Sequence, residues 1–354
     1  MKFLIRNSLG AFADGAVLFP LLALLSTQGG FSGATLLLSA GLAYLSAALV
    51  FRIPMSVQPL KSIAIASVAV GASFLEVRLS GALLGVLCLG LNFVNLDLFC
   101  EKMPKAIIHS LQVGLGAVLL IQGAKQGWHF AALGLLICIF VLPRHWSALG
   151  VIATLGLVWG ILQGSNASRV MPSVSANLTR LDVVLGLVLP QLVLTLANSV
   201  VSTRDVAERY FRSQAERVTV GRLLRSIGFG NLVSATFGGL PYCHGSGGLT
   251  AHYRGGANHW LSNVIIGVAL LVMAGVQSRS GHWGLGYPVP VLSALLIATG
   301  IFHMTLAKPT WDTEGGKIKI AMALLTGLLT QNMLFVLGVA LVLEYGLLRE
   351  KRTT

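Results

Sequence analysis

Two short stretches of the chain hold polar and basic side chains within apolar sequence. The first, at 57–69, reads VQPLKSIAIASVA and carries Lys61 among apolar residues. An ammonium group at membrane depth costs on the order of 3 kcal/mol to insert, so it faces a cavity or a partner, or snorkels to the inner interface. The second, at 237–257, reads FGGLPYCHGSGGLTAHYRGGA and offers His244, Ser246 and bare glycine backbone. These groups are hydrogen-bond donors, which is the chemistry that binds an oxyanion.

Both stretches also carry residues typical of a helix opening. Pro59 and Pro241 suit a first helical turn, because proline lacks the N–H group that would have no partner there. The free N–H groups and the peptide dipoles at such a start bind anions. We therefore expect an anion between two facing helix starts. The expected substrate-binding residues are Gln58, Lys61, Ser62, Asn198, His244, Gly245 and Ser246, and the expected helix-breaking residues are Pro59, Pro241, Gly247 and Gly248.

Asp14 is the acid deepest in the first apolar span, and three roles are open for it. It could pair with Lys61, accept a coupling proton or cap the first helix. His244 is the second candidate for a coupling proton. In the eighth span Gln191, Thr195 and Asn198 recur at helical spacing, on a face that meets either the cavity or a neighbouring helix. Glycines that pack a helix crossing are the structural alternative for the stretch around His244.

The elements that must position these residues are membrane spans. Of 354 residues, 55% are hydrophobic and only 10% are charged, whereas a soluble domain carries roughly a quarter charged residues. This excludes a soluble globular protein. Apolar runs of spanning length predict helices at 10–27, 32–51, 79–98, 105–124, 128–142, 147–163, 182–203, 218–237, 260–277, 287–306, 317–329 and 332–347. With the short segments 57–74 and 240–254, the chain is predicted to be an all-α polytopic membrane protein of fourteen segments.

The two short segments occupy matching places along the chain. Each is third in a group of seven, and Pro59 and Pro241 lie 182 positions apart, close to half the length. Interrupted helices at matching places indicate an inverted-repeat transporter with its site near the bilayer midplane. The sequence thus predicts a first repeat at 1–170 and a second at 175–354, with half-helices at segments 3 and 10.

The net charge of +13 is interpreted by position. With both termini cytoplasmic, nineteen of the 25 Lys and Arg residues fall on the inner side, and Lys61 lies within a helix. The outer side receives Arg78, Lys125, Arg169, Arg180 and Arg279. This bias supports both the topology with cytoplasmic termini and the fourteen-segment count, and it removes the need for a nucleic-acid partner. The expected location is the cell (inner) membrane.

The two polar stretches resemble the paired motifs of the molybdate transporter family, a branch related to the sulfate permeases. The first has the pattern Gln-Pro-x-Lys-x-Ile, and the second Phe-Gly-x-x-Pro-x-Cys-His-Gly-x-Gly-Gly-Leu. The span at 191–203 also resembles the family's segment before the second motif. The resemblance implies a core domain of segments 1–4 and 8–11, a gate domain of segments 5–7 and 12–14, and an oxyanion between the starts of segments 3 and 10. It carries substrate roles onto Gln58, Lys61, Ser62, His244, Gly245 and Ser246.

The chain departs from the family pattern at a few positions. Ser56 replaces proline and Leu60 replaces methionine, and beyond the second motif His252, Gly255 and Asn258 replace glutamine, an aromatic residue and arginine. These departures leave the choice between molybdate and sulfate open. The C-terminus follows the last span directly, which agrees with the molybdate branch and its lack of a regulatory C-terminal domain.

We thus expect a secondary active transporter that imports a tetrahedral oxyanion, molybdate foremost, by alternating access. Moving a dianion inward costs about 4.6 kcal/mol per 100 mV, so coupling to protons is expected. Sulfate or tungstate transport, anion exchange and nucleobase–cation symport are the alternatives, although symport would be expected to need carboxylates in segments 8 and 10. No enzyme is expected, since Ser246 lacks the G-x-S-x-G context, and neither is a cofactor or a metal. Membrane lipid and a second copy in a homodimer are the other expected partners.

Overall fold

Apolar helices build almost all of the structure. The computed structural model describes residues 2–94, 104–127, 130–141, 145–163, 180–313 and 315–347. Within these ranges, six helical stretches are long and apolar enough to cross a membrane. They are Phe3–Thr27, Gly33–Phe51, Phe74–Leu91, Lys105–Lys125, Leu181–Arg217 and Leu261–Arg279. Shorter apolar helices accompany them, so the chain has the helical architecture of an integral membrane protein.

The first half contains the elements of segments 1 to 7. They are α1 (Lys2–Ala11), α2 (Gly15–Thr27), α3 (Gly33–Phe51), β1 (Gln58–Pro59), α4 (Lys61–Ala69), α5 (Phe74–Leu91), α6 (Lys105–Lys125), α7 (Phe130–Val141) and α8 (His145–Gln163). The predicted boundary between the repeats, at 170–175, lies outside the described residues.

The second half also places a short strand before a short helix. Its elements are α9 (Leu181–Leu194), a π-helical segment (Thr195–Val201), α10 (Ser202–Phe211), a 3-10 segment (Arg212–Arg217), α11 (Val220–Phe237), β2 (Tyr242–Cys243), α12 (Ser246–Gly255), α13 (Leu261–Arg279), α14 (Val289–Thr305), α15 (Lys308–Trp311), α16 (Gly316–Thr330), α17 (Met333–Val342) and a second π-helical segment (Leu343–Leu347).

The first predicted span, 10–27, lies within the membrane-length stretch Phe3–Thr27, but a turn at 12–14 interrupts the helix, which was not predicted. Helix α1 ends at Ala11 and α2 begins at Gly15, with Asp14 at the N-cap position of α2. Glycine is a weak helix former, and aspartate favours the residue before a helix over its interior. The interruption places the Asp14 carboxylate inside the protein, where it is 1% exposed.

The eighth predicted span, 182–203, is too short. Helical structure continues through the π-helical segment and α10 to Phe211, and a 3-10 turn follows. The sequence after Thr203 contains no helix breaker, and Arg204 pairs with Glu208 one helical turn later at 3.0 Å. The helix ends where Arg212 adopts a positive φ of 48°.

Pairs of glycines bring the longest helices together. They are Gly41 with Gly267 (α3 and α13), Gly85 with Gly228 (α5 and α11) and Gly116 with Gly300 (α6 and α14). A Cβ atom at any of these positions would lie 2.7–3.1 Å from the carbonyl oxygen of its partner glycine. The helix backbones therefore touch, as small residues allow in membrane bundles. Along the chain, Gly85 and Gly267 lie 182 positions apart, and Gly41 and Gly228 lie 187 apart.

A two-stranded antiparallel ribbon joins the two halves at the centre. Gln58 of β1 lies opposite Cys243 of β2, and Pro59 lies opposite Tyr242. Because the strands are antiparallel, α4 and α12 leave the ribbon in opposite directions with their N-termini towards it. At 1.5 Å per residue, these helices of 9 and 10 residues are about 14 and 15 Å long, half of the roughly 30 Å hydrocarbon core.

Candidate functional site

The prolines of the two polar stretches lie in the ribbon and not in the first helical turns, where they were predicted. Pro59 is a residue of β1, and Pro241 comes just before β2, five positions ahead of the start of α12. The carbonyl oxygen of Pro241 accepts the N–H of Leu60 at 2.9 Å. Proline tolerates these places because the edge of a ribbon leaves some N–H positions unused. Gly247 and Gly248 likewise do not break a helix, since both lie within α12.

A cavity of about 140 Å³ opens beside the ribbon and the starts of both short helices. Its wall combines residues of segments 1, 3 and 10 with residues of α14. The lining residues are Ala13, Asp14, Ala16, Val17, Gln58, Lys61, Gly247, Ala251, Thr299, Phe302, His303, Thr305 and Leu306. Of the seven predicted substrate-binding residues, Gln58 and Lys61 line this cavity, together with the coupling candidate Asp14 and with Gly247.

Lys61 presents its ammonium group to this cavity. The side chain is 7% exposed and forms no hydrogen bond or close ion pair with any described residue, although the Asp14 carboxylate at the same cavity attracts it from a greater distance. A buried ammonium without a directly bonded partner is unfavourable, because the protein interior replaces the water that would stabilise it. An anion in the cavity would provide the missing partner.

Asp14 is bonded to Gln58 and forms no ion pair with Lys61. The Gln58 Nε2 group donates to the Asp14 carboxylate, and the Tyr44 hydroxyl donates to it at 3.4 Å. Although Asp14 sits at the N-cap of α2, its side chain makes no capping hydrogen bond. Of the three roles open from the sequence, neither the ion pair nor the cap is present, and the carboxylate remains at the cavity wall.

The first turn of α12 packs directly against this Gln58–Asp14 pair. A Cβ atom on Gly248 would lie 2.6 Å from Gln58 Nε2 and 2.7 Å from both Asp14 carboxylate oxygens. A Cβ atom on Gly245 would also meet Gln58 Oε1, which is buried without a hydrogen-bond partner. Glycine is therefore required where α12 approaches β1, whereas a Cβ on Gly247 would meet open space.

The two helix starts differ in their free N–H groups. At α4, the N–H groups of Ser62 and Ile63 both donate to Gln191 Oε1, at 2.8 and 3.4 Å. The expectation of two equally free helix starts is therefore wrong for α4. At α12, by contrast, the N–H groups of Ser246, Gly247 and Gly248 have no acceptor among the described residues. The positive end of α12 is the one available to an anion.

His244, which was predicted to contact substrate, is not among the residues that line the cavity. Its Nδ1 donates to the Ser56 carbonyl oxygen at 2.8 Å, and its Nε2 accepts from the Ser226 hydroxyl at 2.8 Å. The ring is fully buried between Phe51 and Tyr242. Because both ring nitrogens have protein partners, His244 holds the ribbon in place.

Three more of the predicted residues contact the protein and do not line the cavity. The Ser246 hydroxyl donates to Asn198 Oδ1 at 2.6 Å, which ties α12 to the π-helical segment. Ser62 Oγ is buried with no hydrogen-bond partner, in the first turn of α4. Asn198, Ser246 and Ser62 are therefore not among the residues that line the cavity.

Sequence reasoning missed the contributions of Ser56 and of α14. Ser56 Oγ accepts the Gly245 N–H at 3.1 Å and donates to the Gly245 carbonyl at 2.7 Å, so it fixes the residue before α12. On α14, His303 lines the cavity with Nδ1 unpartnered, and Thr299 lines it one turn earlier. A histidine within the apolar run 287–306 was the available signal for His303, whereas Ser56 carried no signal beyond its departure from the family pattern.

The known proteins that this chain resembles in sequence are transporters. Molybdate transporter 2 of Arabidopsis thaliana is 32% identical over 136 residues, which cover 38% of this chain and 29% of that protein. Molybdate transporter 1 of Chlamydomonas reinhardtii is 28% identical over 177 residues, covering 48% of this chain and 33% of that protein. The matched regions thus span about a third of these curated relatives.

Two solved structures share the fold at low sequence identity. The transmembrane domain of the cyanobacterial bicarbonate transporter BicA superposes with a TM-score of 0.67 at 17% identity, covering 96% of this chain and 98% of that one. The murine anion transporter Slc26a9 in its inward-facing state gives 0.65 at 12% identity, covering 97% and 68%. Relatives and neighbours are transporters, not enzymes.

One family model matches residues 7–119 and 183–302, which is most of the described chain and includes both polar stretches. The match covers the ribbon, both short helices, Asp14 and nearly all of α14. The chain therefore belongs to the family described as "Molybdate transporter of MFS superfamily".

Proposed function

We propose that this protein is a secondary transporter that imports a tetrahedral oxyanion, molybdate foremost, across the cell membrane. The observation that carries the proposal is the unpaired ammonium of Lys61 in a cavity that also borders the free N–H groups of α12. Both features favour an anion over a cation or an apolar solute. Membership of the family supports molybdate as the first candidate.

The size of the cavity suits a small oxyanion. At roughly 30 Å³ per water molecule, 140 Å³ corresponds to about four or five waters, comparable to an ion with four oxygens around one atom. In this proposal the Lys61 ammonium and the Gly247 N–H contact the anion directly, while Gln58 donates to the Asp14 carboxylate at the cavity wall. Ser62, Ser246 and Asn198 position the two helix starts from behind.

Residues from both proposed domains line the cavity, which supports an alternating-access mechanism. Asp14, Gln58, Lys61 and Gly247 belong to segments assigned to the core domain, and α14 belongs to the gate domain. We infer that the core domain carries the anion past α14 and so exposes it to each side in turn. The equivalent glycine crossings in the two halves support the two inverted repeats and fourteen segments on which this movement depends.

Uptake of a dianion is proposed to be coupled to protons through Asp14. Entry against an inside-negative potential costs about 4.6 kcal/mol per 100 mV, which co-transported cations offset. Asp14 is the buried carboxylate at the cavity wall. Asp14 is favoured over His244, the other candidate, because both ring nitrogens of His244 are bonded to protein.

Equilibrium binding of labelled molybdate to purified protein tests the site. Unlabelled molybdate and tungstate should compete, sulfate more weakly or equally, and uracil not at all. Competition by uracil alone would instead support a nucleobase transporter. Lys61→Ala should weaken molybdate binding about 10- to 100-fold, because a charged hydrogen bond of roughly 1.5–3 kcal/mol is lost.

Lys125→Ala is the matched control for this variant. Its ammonium is exposed at the end of α6 and contacts Gln331 at 3.1 Å, outside the cavity. It should bind molybdate as the unmodified protein does. Equal affinity of the Lys61→Ala variant and this control would show that the anion binds elsewhere.

A further inference from the structure

A second recess lies between α3 and α11, on the outside of the helix bundle. Its volume is about 670 Å³, much larger than the cavity at Lys61, with which it shares no lining residue. It is lined by Ser39, Leu42, Ala43, Ser46, Leu49, Val50, Arg217, Arg222, Arg225, Ser226, Phe229, Gly230, Val233, Ser234, Phe237 and Tyr242. We refer to it as the α3–α11 groove.

One end of the α3–α11 groove carries a cluster of positive charge. Arg217, Arg222 and Arg225 lie together at the start of α11, and none forms an ion pair with a carboxylate among the described residues. Arg222 Nη1 donates to the Arg217 carbonyl oxygen at 3.4 Å, and Arg225 Nε donates to the Gly221 carbonyl oxygen at 3.1 Å. The remaining guanidinium donors are available to a phosphate group, which arginine binds bidentately.

The rest of the groove is an apolar trough. Leu49 is 74% exposed, Phe229 60% and Val233 58%, and these side chains continue from the arginines towards Phe237. From Val50 to Ser39 the groove follows α3 over eleven residue-to-residue steps, about 16 Å at 1.5 Å per residue. This length equals about half of the roughly 30 Å hydrocarbon core, the depth of one leaflet.

From this charge and length we propose that the α3–α11 groove binds one anionic phospholipid of the cytoplasmic leaflet. The lipid phosphate contacts Arg217, Arg222 and Arg225, and one acyl chain lies along Leu49, Phe229 and the rest of the trough. The arginines fall on the side that the charge bias assigns to the cytoplasm, where anionic lipids attract basic residues. Neither a free phosphate nor a soluble anion would need the exposed apolar trough.

Native mass spectrometry of the full chain in detergent tests the proposal. With phosphatidylglycerol and phosphatidylcholine of the same acyl length, the protein should retain one phosphatidylglycerol at least tenfold more strongly. The double variant Arg222→Ala/Arg225→Ala should lose this preference. The charge-matched control Arg209→Ala/Arg254→Ala, outside the groove, should keep it.

Two further measurements distinguish a bound lipid from other possible occupants of the groove. Val233→Trp fills the trough without changing the charge, so it should also reduce phosphatidylglycerol retention. Retention unaffected by Val233→Trp, or abolished by millimolar inorganic phosphate, would overturn the proposal in favour of a simple phosphate site. A dimer mass lost in Val233→Trp would overturn it in favour of a second copy of the chain.

Discussion

Gly247 and Gly248 are adjacent in the sequence, yet the space around them differs. A side chain on Gly248 would collide with the bonded pair of Gln58 and Asp14, whereas one on Gly247 would enter open space. We predict that Gly248→Ala destabilises the protein by about 1–3 kcal/mol through overpacking, more than the gain of about 1 kcal/mol in helix propensity. Thermal unfolding of the detergent-purified protein measures this change.

Gly247→Ala provides the matched comparison. It gains the same helix propensity and meets no neighbour within 4 Å, so its unfolding temperature should equal or exceed that of the unmodified protein. Equal unfolding temperatures for the two variants would contradict the close approach of α12 to β1.

The sequence indicated a cavity position most directly for charged residues that stand inside apolar runs. Lys61 and Asp14 are charged groups inside apolar runs, and both line the cavity. The partners of His244 could not be predicted, because Ser56 lies 188 positions away and Ser226 lies 18 away. A histidine beside glycines looks the same in sequence whether it faces a ligand or closes a hydrogen-bond network.

At the scale of elements, a side chain of one helix caps the start of another. Gln191 of α9 accepts two N–H groups of α4 through one oxygen. Gln191→Leu leaves both without an acceptor and should destabilise the protein by roughly 1–2 kcal/mol. Gln191→Glu keeps an acceptor but adds a negative charge next to Lys61, so molybdate affinity should fall more than tenfold.

Gln126→Glu is the control for this added charge. Gln126 lies at the end of α6 and donates to the Gln122 carbonyl oxygen at 3.4 Å, away from the cavity. Its molybdate affinity should stay unchanged in the same binding assay. Undiminished affinity in Gln191→Glu would mean that the start of α4 does not face the anion.

The glycine crossings predict matching effects in the two halves. Gly41→Val and Gly228→Val each push a side chain towards a facing backbone carbonyl or a leucine side chain, so both should lower the unfolding temperature by similar amounts. Gly275→Val on α13 meets nothing within 4 Å and should have a smaller effect. A large fall in unfolding temperature for one of these two variants, with none for the other, would contradict similar packing at the two glycine crossings.

At the scale of the whole molecule, the hydropathy pattern predicted the helical membrane fold because several apolar runs are long enough to cross a membrane and few charged residues separate them. The spacing of the two polar stretches also predicted that they meet, and β1 and β2 pair directly. The break before α2 and the extension through α10 could not be predicted from hydropathy. Both depend on local helix preferences, which hydropathy does not measure.

Proton coupling is the property of the whole transporter that remains to be measured, and Asp14 is its test. In proteoliposomes, an inward proton gradient should increase molybdate uptake by the unmodified protein. Asp14→Asn keeps an oxygen that can accept from Gln58 but cannot exchange a proton at neutral pH. It should therefore lose the gradient response and still exchange molybdate for molybdate.

Asp312→Asn changes an exposed carboxylate that pairs with Lys308 at 3.6 Å, outside the cavity, and should keep the full gradient response. If the Asp14→Asn variant kept that response as well, the coupling proton would have to bind another group. If a proton gradient did not change molybdate uptake by the unmodified protein, the protein would be a uniporter or an exchanger. The anion would then cross without a driving cation.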